Sequence, residues 1–178
     1  MYQPRANSRI WAGAAAAAVA WAVGCGAGNP SSGPGFVPFE NRDWGFRLEY
    51  PADWDATAGR GVEPLIVVVK APGRREVIGS AASVVGAWSA APLPAVAASF
   101  ERKIAAAGEV SAEDVEVGGF PARAFEYRVE RGGEAVRTRA LVVRGAERYF
   151  VVSFSAYEGQ YDGARPYFEA MEHSIIIR

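Results

Sequence analysis

The sequence predicts an α+β domain, an antiparallel β-sheet accompanied by helices, on three observations. Two runs alternate apolar and polar residues with period two, Phe46–Tyr50 and Phe125–Val129, the pattern of half-buried strands. The second run leads into Gly132-Gly133, a pair suited to a two-residue hairpin turn, which makes the flanking strands antiparallel. Between the two runs, residues 94–107 change to helical period and place Val96, Phe100, Ile104 and Ala107 on one face.

Taken in order, the first strand alternates Phe46, Leu48 and Tyr50 with Arg47 and Glu49 and stops at Pro51. Leu65–Val69 is a continuous apolar run, too short for a helix and suited to a buried strand. A turn over Ala71–Glu76 leads to a strand within Val77–Trp88. The helix that follows has Pro94 in its first turn and Gly108 beyond its end, both favoured there. Pairing across Gly132-Gly133 sets Val129 beside Val136, Tyr127 beside Thr138, Phe125 beside Ala140 and Glu126 beside Arg139. It also opposes Arg128 to Arg137, a like-charge pair that Glu126 and Glu130 must offset unless the register differs. A turn near Gly145-Ala146 leads to Tyr149–Ala156 and completes a three-stranded meander. A second helix starts near Asp162, has Pro166 in its first turns, and presents Phe168, Met171 and Ile175. Residues Ile175–Ile177 then close the chain against the core.

Composition narrows the chemistry. The chain has 178 residues, a length suited to one domain with a core of its own. A net charge of −1 lacks the basic excess of a general nucleic-acid binder. One Cys permits neither an intramolecular disulfide nor a cysteine zinc cluster. The one histidine, His173, stands beside Ser174 late in the second helix and is expected as a helix-end residue rather than a catalytic base. Asp53 and Asp55 flank Trp54 and are expected in a solvated turn rather than a calcium site. Gly59-Arg60-Gly61 lacks the lysine of a phosphate-binding loop. No catalytic residue, metal ligand or cofactor is predicted. Trp44, preceded by Asn41-Arg42-Asp43, and Trp54 are the candidate interaction surface, because tryptophan is enriched at binding hot spots.

The N-terminus carries Arg5 and Arg9 without an acid, then an apolar stretch from Ile10 to Gly24. Spanning a bilayer takes roughly 20 residues, so this shorter segment is predicted to be a secretory signal peptide, residues 1–24. Ala22-Val23-Gly24-Cys25 resembles the bacterial lipobox, and the chain's single cysteine falls at the position that receives a diacylglycerol in that family. Removing residues 1–24 leaves 17 basic and 20 acidic residues, a net charge of −3. Residues 25–38, CGAGNPSSGPGFVP, have no periodicity and are expected to be a flexible tether.

Asp43-Trp44-Gly45-Phe46-Arg47-Leu48-Glu49-Tyr50-Pro51-Ala52-Asp53-Trp54 resembles the opening of PsbP-like domains. Gly119-Phe120-Pro121-Ala122, the aromatic strand Tyr149–Phe154 and the closing Phe168…Ser174-Ile175 extend the resemblance over residues 39–178. It implies an α/β/α sandwich, an antiparallel sheet flanked by helices, shared with DcrB- and LpqN-like bacterial lipoproteins. It also implies a non-catalytic role as accessory or binding subunit of an envelope protein complex, on the outer face of the plasma membrane or on an outer membrane. A small-molecule or lipid-binding lipoprotein is the alternative, and a hydrolase using paired carboxylates is a third, since such spacing exists only in three dimensions.

Two or three acyl chains, each worth about 0.8 kcal/mol per buried methylene, hold a protein on a membrane far more firmly than one myristoyl chain. The Cys25→Ala variant is therefore expected in the soluble fraction of cells in which the wild type sediments with membranes. Unchanged sedimentation would exclude lipidation at Cys25.

Overall fold

The computed structural model describes residues 35–58, 65–72, 81–146 and 148–178. The leader, Ala22–Cys25, most of the tether, Gly59-Arg60-Gly61 and residues 73–80 lie outside the described residues. The chain order is β1 (Phe36–Asn41), β2 (Phe46–Pro51), β3 (Asp55–Ala58), β4 (Leu65–Lys70), β5 (Ala81–Trp88) and α1 (Leu93–Ile104), closed by a 3-10 turn at Ala105–Ala107. After it come β6 (Val110–Val117), β7 (Phe120–Arg131), β8 (Glu134–Arg144), β9 (Arg148–Tyr157), α2 (Glu158–His173) and β10 (Ile176–Ile177). A seven-stranded sheet has the order β3-β4-β5-β9-β8-β7-β6, and a smaller one the order β1-β2-β10. Neighbouring strands are antiparallel throughout.

Side chains alternate between the faces of a sheet, so the register decides what each face carries. Leu141 lies opposite Val152 and beside Ala124, and this face is covered by α2 and by the inner face of the small sheet. Phe168 reaches Phe154 at 5.5 Å, and Phe46 reaches Phe150 at 5.1 Å. Phe125 and Ala140 point the other way, where Phe100 of α1 lies 5.3 Å from Phe125. Tyr149, buried on that side, donates its hydroxyl to the Ala91 carbonyl just before α1, at 2.6 Å. Helix, sheet and helix form an α/β/α sandwich, with the small sheet beside α2.

Several elements differ from their expected bounds. Helix α1 buries Ile104 and packs Phe100 on the sheet as the expected stripe requires, but its other buried residue is Ala97 rather than Val96. Helix α2 starts at Glu158, ahead of Asp162, so Pro166 lies well inside it. Gly159 and Gly163 make the opening turns look like loop, whereas Tyr161 and Ala164 already contact the core. The tether loses its last three residues to the fold, because Phe36–Pro38 pair with β2 as part of β1. Strands β1, β3, β6 and β10 were not anticipated as strands.

The predicted hairpin register is the observed one, Arg128 opposite Arg137 included. Arg137 is hydrogen-bonded to Glu126 at 2.9 Å and lies 4.5 Å over the Tyr161 ring. Arg128 is neutralised by α2, not by Glu130: both Glu158 carboxylate oxygens accept from its guanidinium at 3.0 Å. Arg139 bonds both Glu172 of α2, at 3.0 and 3.2 Å, and Glu113 of β6, at 3.0 Å. Helix α2 is thus held by apolar packing along one stretch and by ion pairs along another.

The C-terminal segment joins the two sheets. The Glu49 N–H donates to Ser174 Oγ at 2.7 Å, and the Arg178 N–H donates to the Gly45 carbonyl at 2.8 Å. Gly45 has φ +60°, and a Cβ there would sit 2.6 Å from the Arg178 carbonyl oxygen. Gly132 has nearly the same φ, +63°, with no atom close enough to meet a Cβ.

Gly132→Ala is therefore expected to cost about 1–2 kcal/mol, the penalty of left-handed backbone alone. Gly45→Ala should cost at least about twice that, since backbone must also move. Equal losses in urea denaturation would show that the Arg178 carbonyl is not fixed against Gly45. The Glu158 carboxyl is held below its ordinary value, first by its hydrogen bond from Arg128. A depressed folded pKa contributes stability above the ordinary glutamate pKa and loses it as pH falls through the folded value. The stability difference between wild type and Glu158→Gln should accordingly be present at neutral pH and vanish in acid. A difference independent of pH would show that the pair contributes through packing alone.

Candidate functional site

The two tryptophans expected on the surface belong to the core. Trp54 is 7% exposed and packs on Tyr167 and Phe168, with ring centroids 6.0 and 6.3 Å away. Trp44 is 5% exposed and meets Phe150 edge-on at 6.4 Å. Their polar neighbours, which suggested exposure, are turn residues that leave each indole free to fold inward. Asp53 and Asp55 are exposed on either side of Trp54. Among the described residues no group of three or more His, Cys, Asp or Glu is placed to hold a metal.

His173 is exposed, and its Nδ1 lies 2.6 Å from the Glu169 carbonyl oxygen in the last turn of α2. The Ser174 hydroxyl donates to the Met171 carbonyl at 2.7 Å and accepts the Glu49 N–H. Adjacent in sequence, these two side chains serve the helix end and the small sheet, not each other. The acids under α2 do not form the open pair of a glycosidase-like centre. Arg139 stands between Glu113 and Glu172, and Glu126 lies 2.9 Å from Arg137 and 3.6 Å from Arg139.

A second charged group forms a cleft of about 320 Å³ where three segments meet: the β1–β2 turn, the β8–β9 turn and the C-terminal segment. Asn41 shapes the first turn, its Oδ1 accepting the Trp44 N–H at 3.1 Å. Trp44 thereby turns inward, and its ring forms the cleft wall together with Phe150 and Ile177. Arg148 lies 5.0 Å over the Trp44 ring and donates from Nη1 to the Asp43 carbonyl. Arg42 and Arg178 occupy the rim and approach one carboxylate, Glu40, at 3.5 and 3.8 Å. The charged lining of the cleft is thus mixed, with Asp43 beside the three guanidiniums of Arg42, Arg148 and Arg178. Arg42 stands beside Trp44 in sequence, but Arg148 and Arg178 reach it only through the tertiary fold. No local pattern marked them.

The sequence matches no protein-family model and no curated protein. Solved structures do match in shape. The solution structure of cyanobacterial PsbP (CyanoP) from Synechocystis sp. PCC 6803 aligns with a TM-score of 0.60 and 18% identity, over 86% of this chain and 98% of that one. The crystal structure of PA94, a Pseudomonas aeruginosa protein of unknown function, gives 0.55 and 15% identity, over 80% of this chain and 97% of that one. A Bacteroides thetaiotaomicron protein gives 0.55 and 17%, over 79% of this chain and 48% of the larger partner in the comparison. At these identities the likeness concerns architecture, and the chain has the PsbP-like fold.

Proposed function

We propose that this protein is a lipid-anchored envelope protein whose PsbP-fold domain works without catalysis, as an accessory or binding subunit of a larger envelope complex. One observation carries the reading. The chain's single cysteine, Cys25, ends a short apolar leader in a lipobox-like sequence, and the first described strand starts at Phe36. The ten residues between Cys25 and Phe36 extend to at most about 35–40 Å and typically span about 18 Å. Such a domain stays close to the bilayer yet can turn toward a neighbour.

The interior favours a protein partner over a ligand enclosed within the sandwich. Tyr161, Phe168 and Met171 of α2 fill the space against the large sheet, the layer where a carrier would place its pocket. The cleft beside Trp44 gives the ligand-binding alternative its own support, because its volume reaches the lower end of ligand sites, about 300–1,000 Å³.

Native mass spectrometry of the lipidated protein, gently extracted from its own membrane, separates these readings. An additional discrete protein mass is the expected result. A lipid-sized increment beyond the acyl modification would favour the carrier instead. The bare lipoprotein mass alone would overturn a stable subunit.

A further inference from the structure

Helix α2 changes character at Pro166, which lies inside it. Proline brings no N–H to the carbonyl four residues back, here Asp162, and its ring crowds that carbonyl. Ahead of Pro166, the stretch Glu158–Arg165 contains Gly159 and Gly163, and glycine is the poorest helix former after proline. Packing requires neither of them, because a Cβ at Gly159 or Gly163 would meet no atom within 4 Å. The helix also opens at Tyr157 without a side-chain capping bond, where Ser, Thr, Asp or Asn would supply one. Beyond Pro166, the stretch Tyr167–His173 contains no glycine.

The first stretch therefore owes its helical form to what it lies on. Glu158 accepts twice from Arg128 at 3.0 Å, between exposed side chains. Arg137 lies 4.5 Å over the Tyr161 ring and approaches Asp162 at 4.0 Å. Arg165 reaches across the proline to Glu169 at 2.7 Å, both side chains more than half exposed. Exposed ion pairs of this kind are individually weak, which leaves Tyr161 and Ala164 as the buried contacts of this stretch. The second stretch is tied more deeply. Phe168 and Met171 are buried, Arg139 holds Glu172, and Ser174 bonds to β2. Both ends of the first stretch are fixed, since Tyr157 pairs with Val136 and Pro166 continues into the second. About 12 Å long as a helix, Glu158–Arg165 extends to roughly 25 Å when unwound. It can leave the surface without moving either end.

We infer that Glu158–Arg165 is a strap that melts and re-forms as a cooperative unit of its own, bounded by Tyr157 and Pro166, while the sheet and the rest of α2 stay folded. Open, it bares Tyr161 and Ala164 and uncovers the flank of Phe168, on which Tyr161 packs at 5.8 Å. Elements that move on binding come from the least stable parts of a fold, and this strap is built as one. The inference depends on neither the membrane anchor nor the subunit reading.

Residue-resolved hydrogen exchange of the full chain tests it. The first N–H groups of any helix lack an intrahelical acceptor, so Asp162–Arg165 are compared with Phe168–Met171. The strap amides are expected to exchange together, at least about thirtyfold faster than the others after correction for intrinsic rates. Ile104→Val weakens the fold in α1, on the opposite face of the large sheet from α2. It should speed Phe168–Met171 roughly fivefold and leave Asp162–Arg165 unchanged. Sub-denaturing urea should likewise act on Phe168–Met171 alone. Gly159→Ala/Gly163→Ala should slow the strap amides by at least about tenfold, there being room for both methyl groups. Equal protection in the two stretches, parallel acceleration by Ile104→Val or urea, or no slowing in the double alanine variant would each overturn the inference. Protection that rises residue by residue from Asp162 to Arg165 would overturn it too, as fraying of a helix end rather than opening of a bounded strap.

Discussion

The placement of Ser174–Arg178 is the constraint on which the rest of this structure depends. Three turns from distant parts of the chain converge on these five residues. Gly45 faces the Arg178 carbonyl, Gly118 the Ile175 carbonyl, and Gly145 the Ile177 side chain, each so close that a Cβ would approach to 2.6, 2.9 and 3.1 Å respectively. Two of the glycines also have positive φ, a backbone state that other residues reach only at a cost. With Ser174 on Glu49 and Arg178 on Gly45, the segment adds β10 to the small sheet and ties that sheet to α2. The same convergence brings the β1–β2 and β8–β9 turns together and so creates the cleft. Fold and candidate site share one joint.

This explains what the family resemblance does and does not carry. Gly45 makes room for the C-terminal segment, Phe46 and Leu48 fill the core, and Trp54 packs on Phe168 of α2. Gly119 completes the positive-φ turn between β6 and β7, and Ser174 caps the end of α2 while bonding to β2. Each quoted motif has a mechanical task in the joint or the core. A pattern made of such residues specifies an architecture, and it can do so at 18% identity to CyanoP. It is silent about partners, because function resides in sites added to a fold.

What could be read from the sequence follows the same division. The central strands β2, β4, β7, β8 and β9 were legible because a strand paired on both sides and buried on at least one face must carry a strong apolar pattern. The hairpin register was legible down to the opposed Arg128 and Arg137, since Gly132-Gly133 fixes it. The four strands that escaped, β1, β3, β6 and β10, are the four sheet edges. Edges are protected from further pairing by proline, charge or shortness. Pro38 in β1, Glu113, Asp114 and Glu116 in β6, and the two-residue length of β10 are such devices, and each erases the periodicity that announces a strand. The tryptophans misled for a related reason: polar turn residues around Trp44 and Trp54 describe the loop, while tertiary contacts set the direction of the indole.

Arginine shows why the candidate site stayed beyond local patterns. Arg137 and Arg148 are the same residue type on adjacent strands, each lying over an aromatic ring, Tyr161 or Trp44. The difference lies in what the third dimension supplies. Arg137 receives Glu126 from the neighbouring strand, and Arg128 beside it receives Glu158 from α2, so the charges in that region close on themselves. Arg148 lies over Trp44 and donates to the Asp43 carbonyl, contacts supplied by the β1–β2 turn. Arg42 and Arg178 arrive from two other segments and approach one carboxylate, Glu40, at 3.5 and 3.8 Å. Exposed ion pairs at these distances contribute little stability in water, so it is the tertiary fold, not local pairing, that brings these arginines to one place.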